Sequence, residues 1–258
     1  MPKKHRTNSV NFPPPQVPSQ NPPPPPPPRA ITRKPLTRKI PTRKPVQRNS
    51  YKPNNNPFVV SNAIIAINLG LFVWSQISGV DRFQYNMSLS RVFLDNGEWY
   101  RLVSAGFVHF GLFHVAMNMV LLFQLGRMLE PAIGSTKFAL IYFASLLGGS
   151  AGALLLSPTA FTGGASGAVF GIMAAGVVGM RQQGANPFKS GLGMTFAINI
   201  VITLAIPGIS IGGHFGGALA GAICGFVILA PARIKIPEFV QYAIPILVGV
   251  AAIFISLA

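Results

Sequence analysis

Residues 214–230 read HFGGALAGAICGFVILA: one histidine, then sixteen residues without a charge, with Gly217, Gly221 and Gly225 spaced four apart. As a helix rising about 1.5 Å per residue, this run nearly matches a bilayer core of about 30 Å. Glycines four apart lie on one face and let a neighbouring backbone approach closely. Outward from it lie six further apolar runs, at Pro57–Ile77, 111–129, 137–157, 165–180, 191–206 and 239–258, the fourth and fifth of the seven being rather short. They predict an all-α, polytopic transmembrane helix bundle.

The composition agrees with that reading. Only 10% of the 258 residues are charged, against roughly a quarter in a soluble domain. Mean hydropathy is +0.45. The single Cys224 forms no intramolecular disulfide, which excludes a disulfide scaffold. The formal charge of +16 is unevenly spread: residues 1–52 hold 12 of the 21 Lys and Arg and none of the five acids. That excludes a nucleic-acid footprint on the folded body.

Residues 1–56 read as a disordered, Pro-rich, basic tail. Seventeen of the 24 prolines fall between Met1 and Pro57, including the run Pro22 to Pro28, and proline removes the N–H that helices and inner strands need. Polyproline II character follows. Thr32-Arg33-Lys34, Thr37-Arg38-Lys39 and Thr42-Arg43-Lys44 repeat every five residues, a period that forms no helix or strand face. Candidate roles are a solvated topogenic tail, docking to anionic lipid headgroups, or an SH3-type ligand. No apolar run follows Lys3, Lys4 and Arg6 at the distance of a signal peptide.

Loop charges orient the bundle. The basic tail stays cytoplasmic by the positive-inside rule, and alternating loops then place Arg127, Lys137, Arg181, Lys189, Arg233 and Lys235 on the same side. Helices two, four and six therefore start at the outer face. Polar groups within a bilayer are functional candidates by default. His109, His114 and Asn118 begin helix two, Ser166 begins helix four, and His214 begins helix six, all at similar depth.

Their chemistry is that of a nucleophile and a base. An imidazole can remove the serine proton as the oxygen attacks a carbonyl. No carboxylate occurs between Pro131 and Ala230, so a dyad is expected unless Asp81 or Asp95 of the outer loop completes a triad. His114 and Asn118, four apart, project from one face as donors suited to an oxyanion. Ser166 at a helix start adds unpaired backbone N–H groups. Two glycine ladders, Gly163, Gly167, Gly171 and Gly217, Gly221, Gly225, are expected to bring serine and histidine together. Taken singly, Ser166 reads as a helix cap, His214 as an interhelical hydrogen-bonder, and Cys224 as a packing residue. Ala168 breaks the G-x-S-x-G elbow, and the absence of H-E-x-x-H argues against a zinc protease. A transporter is a weaker alternative, because the polar groups sit towards one face rather than the midplane.

Together, Gly164-Ala165-Ser166-Gly167, His109-x4-His114-x3-Asn118 and His214-x2-Gly217-x3-Gly221 resemble the rhomboid intramembrane serine proteases. Glu98-Trp99-Tyr100-Arg101 resembles the end of that family's long first loop. The resemblance covers roughly residues 57–230 and implies a six-helix catalytic core, with residues 231–258 forming a linker and a seventh transmembrane helix outside it. It implies Ser166 as nucleophile, His214 as general base, and His114, Asn118 and the Ser166 N–H as oxyanion hole. It further implies a structural Arg101, Phe170 as the aromatic under the histidine, His109 as an organiser of water or loop hydrogen bonds, and supporting roles for Gly164 and Gly167. Transmembrane proteins are the implied substrates, cut near the outer face after a small residue, with no metal or cofactor. Helix five and the loop before His214 are the implied gate. The plasma membrane is the expected location. The competing reading is a rhomboid-like protein that binds membrane clients without cleaving them.

Overall fold

The computed structural model describes residues 58–258. The disordered-tail assignment, its polyproline character and its lipid docking concern residues outside those described. Within the described residues the chain forms ten α-helices and no strand. All seven apolar runs become helices: α1 (Val59–Ser78), α5 (Leu112–Ile133), α6 (Ser135–Leu156), α7 (Ser166–Gln182), α8 (Leu192–Ala205), α9 (Ile211–Ile228) and α10 (Glu238–Leu257). Five of these are long and apolar enough to cross a membrane, while α7 has 17 residues and α8 only 14. The chain is a multi-pass membrane protein.

The polar segment between α1 and α5 carries three further helices that hydropathy did not reveal: α2 (Val80–Met87), α3 (Arg91–Asp95) and α4 (Arg101–Ser104). They are short, of eight, five and four residues, and Arg101 holds them together. Its guanidinium donates to Glu98 Oε2 at 2.6 and 2.9 Å, and to the carbonyls of Tyr85 and Ser88 at 2.6 and 2.9 Å. It also lies 3.8 Å from the centroid of the Phe93 ring. A buried guanidinium requires such full pairing. The Arg101 hydrogen bond, seconded by the Tyr100 hydroxyl, holds the Glu98 carboxyl below its ordinary range. The same carboxylate pushes the Tyr100 phenol up.

Packing is closest around α9, which lies between α6 and α7. A Cβ on Gly217 would fall on the backbone of Gly167, and one on Gly221 on that of Gly171. A second ladder, missed in the sequence, faces α6: Gly212 and Gly216 meet the backbones of Gly152 and Gly148. One rung of the expected ladder is corrected. Gly163 precedes α7 and lies against Val108 and Phe110, because the chain turns at Gly164 (φ +130°) before the helix begins; Ala175, facing Gly225, is the third rung.

Two helices are tied at their ends. Glu130, fully buried at the end of α5, accepts from the Val60 and Ser61 amides at 2.8 and 2.9 Å and from Ser135 Oγ at 2.7 Å. A carboxylate at a helix start satisfies orphan amides and meets the positive end of the dipole. The seventh helix packs on α6 and α9. Lys137 donates to Gln241 near its start, and Arg91 donates to the Ser256 carbonyl at its end, each at 2.8 Å.

Candidate active site

The segment before α7 is held by the α2–α5 region. Leu89 and Thr162 exchange backbone hydrogen bonds at 2.8 and 2.9 Å, the Arg91 amide donates to Pro158, and the Gly164 amide donates to Ala105. These contacts deliver Ser166 as the first residue of α7. The helix has no side-chain cap, so the Ser166 hydroxyl does not serve as one. It lies instead 2.7 Å from His214 Nε2.

His214 stands one turn into α9, where Ser210 caps the helix by accepting from the Gly213 amide. Its ring stacks on Phe170 of α7, with centroids 4.1 Å apart and planes 18° from parallel. The other ring nitrogen, Nδ1, lies 2.7 Å from Thr203 Oγ1 on α8. Thr203 escaped the sequence reading. Its signal was present, since Thr195, Asn199 and Thr203 recur every four residues in an otherwise apolar run.

His114 lines the same cavity as the serine. The Phe110 amide donates to its Nδ1 at 3.4 Å, so a neutral ring keeps its proton on Nε2. That nitrogen faces Gly164, where an added Cβ would come within 2.8 Å of it. Glycine is thus needed at 164 twice over, for its positive φ and for the space beside the imidazole. Asn118, buried one turn along α5, donates one amide hydrogen to the His114 carbonyl at 2.9 Å and retains a second. His109 lies in the loop before α5 rather than on the helix, because the helix begins only after Gly111 (φ +147°). Its ring sits edge-on to His114 at 5.0 Å. Burial, then the His114 imidazole, push His109 down to about 4, so it is neutral at neutral pH.

His114, Asn118, Ser166, Phe170, Asn199 and His214 line one cavity of about 750 Å³. Arg101 is not part of it and acts through the α2–α4 scaffold. Gly167 is placed by packing, tight against the Gly213 carbonyl and the Gly149 Cα. Among the described residues no three His, Cys, Asp or Glu side chains are placed to hold a metal ion. A hydroxyl hydrogen-bonded to an imidazole, with further donors nearby, is able to pass a proton and receive developing negative charge.

A family model described as Rhomboid domain matches residues 96–231. The chain is 34% identical over 129 residues to rhomboid protease GluP of Bacillus subtilis, which covers 48% of this chain and 25% of that protein. It is 30% identical over 200 residues to RHOMBOID-like protein 6, mitochondrial, of Arabidopsis thaliana, covering 75% of this chain and 60% of that protein. RHOMBOID-like protein 1 of the same plant is 35% identical over 136 residues, 51% of this chain and 35% of its own length. The chain thus spans a quarter to 60% of the length of these curated relatives.

Proposed function

The chain belongs to the rhomboid family, and on that premise we propose that it is an intramembrane serine endopeptidase that cuts transmembrane segments of other membrane proteins. The observation that carries the reading is the 2.7 Å contact between Ser166 Oγ and His214 Nε2, a nucleophile and a base within a single hydrogen bond.

In this reading Ser166 Oγ attacks the scissile carbonyl carbon while its proton passes to His214 Nε2. The carbonyl oxygen gains a negative charge, met by His114 Nε2–H, the second Asn118 N–H and the Ser166 amide. Collapse of the tetrahedral intermediate breaks the C–N bond. The proton on His214 goes to the departing amine, leaving an ester on Ser166. Water then loses a proton to His214 and attacks the ester, freeing the second product as a carboxylic acid and restoring the serine. No carboxylate takes part, consistent with the expense of an unpaired charge at membrane depth.

The topology belongs to the same proposal. With the basic tail, the last turns of α5 and α7 that carry Arg127 and Arg181, and the loop bearing Arg233 on the cytoplasmic side, Ser166 and His214 lie towards the outer face. Substrates would enter past α8, whose Val201 and Leu204 are exposed.

The test is cleavage of a single-pass membrane substrate by purified wild type, Ser166→Ala and His214→Ala in detergent. Wild type should release two fragments, and both variants should leave the substrate intact. Binding of the substrate by wild type without cleavage would favour the client-binding reading instead.

A further inference from the structure

A neutral imidazole carries one proton on either of two nitrogens, and only the tautomer with Nε2 bare can take a proton from Ser166. What the other nitrogen meets decides which tautomer forms. His214 Nδ1 meets Thr203 Oγ1 at 2.7 Å. The same oxygen lies 2.7 Å from the Asn199 carbonyl one turn earlier, to which the hydroxyl donates. This bond back to the preceding turn is common for threonine in a helix. A hydroxyl has one proton and two lone pairs. With its proton on Asn199, Thr203 is left only able to accept, and the atom it faces must therefore be Nδ1–H. The bare lone pair of Nε2 then points at the Ser166 hydroxyl, 2.7 Å away.

We propose that Thr203 is the positioning residue that holds His214 in the Nδ1–H tautomer, occupying the place a carboxylate takes in a Ser-His-Asp triad. The inference rests on the peptidase reading above and goes beyond it, because that reading needs only a dyad. A neutral acceptor suits this depth. It orients the ring without the desolvation that a buried carboxylate would incur. Phe170 fixes the plane of the ring by stacking, and Thr203 fixes the proton within that plane.

The location of Thr203 adds a consequence. In the half of α8 nearest the site, residues 199–205, Thr203 alone is fully buried, whereas Val201 and Leu204 are 64% and 61% exposed. Phe170 and His214 belong to α7 and α9, which are locked backbone to backbone. The acceptor belongs instead to the short helix beside them. Displacing α8 from α9 breaks the Thr203–His214 hydrogen bond, so α8 must be seated when the proton moves.

The experiment compares full-length wild type with Thr203→Ser and Thr203→Val on a single-pass substrate, with histidine nitrogens isotope-labelled for NMR. Valine keeps the volume and removes the acceptor. The expected result is a fall in kcat of about 10- to 100-fold for Thr203→Val, the effect of leaving a buried N–H unpaired. KM should stay within about twofold, and Thr203→Ser should remain near wild type. The wild-type spectrum should show His214 protonated on Nδ1. A wild-type His214 protonated on Nε2, a Thr203→Val enzyme with unchanged kcat, a change confined to KM, or a failure of serine to rescue would each overturn the proposal. The wild-type spectrum decides even where a variant does not fold. A wild type that cleaves nothing would count against the peptidase reading, while the spectrum would still report the tautomer separately.

Discussion

Gly221 of α9 lies against the backbone of Gly171 in α7 with no room for a Cβ between them. This contact, repeated at Gly217 over Gly167, sets the distance between the helices that carry His214 and Ser166. Gly221→Leu should therefore separate α7 from α9 and abolish cleavage. Overpacking of this kind typically costs about 1–3 kcal/mol. Gly70→Ala is the control, since an added Cβ at Gly70 meets nothing. Thermal unfolding in detergent should show a lowered Tm for the first and no loss for the second.

Asn118 has one amide hydrogen committed to the His114 carbonyl, and in the proposed reaction the other meets the oxyanion. Asn118→Ala should lower kcat by about 10²–10³, the usual effect of losing one oxyanion donor, with the fold intact. Steady-state cleavage rates check this. An unchanged kcat would remove Asn118 from the oxyanion hole.

Glu130 closes the start of α1 through the Val60 and Ser61 amides. Glu130→Ala should destabilise the protein by about 2–3 kcal/mol, because it strands buried donors. Glu130→Gln keeps one acceptor and should lose less. Limited proteolysis near α1, together with Tm, reads the difference.

Arg101 makes a fork that lysine does not reproduce. Arg101→Lys should lower Tm and loosen the α2–α4 segment. The pair also gives a pH signature. Glu98 is more acidic in the folded protein than its ordinary 4.5, so its contribution is complete above that value and is lost as pH falls through the lower, folded value. The Tm difference between wild type and Arg101→Lys should therefore narrow on acidification.

The membrane helices were legible because each is a run of apolar residues bounded by charge or proline, a signal that depends on no partner. The α2–α4 segment was not, since its order comes from Arg101 reaching carbonyls 13 and 16 residues away. The residue types of the site were visible as rare polar groups at one depth: His114, Asn118, Ser166 and His214. Periodicity also found the Gly217, Gly221, Gly225 face, but it extended the partner ladder one rung too far, to Gly163. Spacing alone does not reveal that the chain turns at Gly164. Thr203 was missed because threonine is ordinary in a membrane helix; its four-residue spacing with Thr195 and Asn199 marks a polar face without naming the imidazole nitrogen it meets. The role of Glu130 was not legible, because the two amides it closes, those of Val60 and Ser61, lie some 70 residues earlier.

The most direct measurement is the mass-spectrometric position of a fluorophosphonate adduct on the purified full chain. The account predicts one adduct, on Ser166, formed in wild type, strongly reduced in His214→Ala and absent in Ser166→Ala. An adduct that persists in Ser166→Ala, or one mapped to another residue of a chain that still cleaves its substrate, would contradict it.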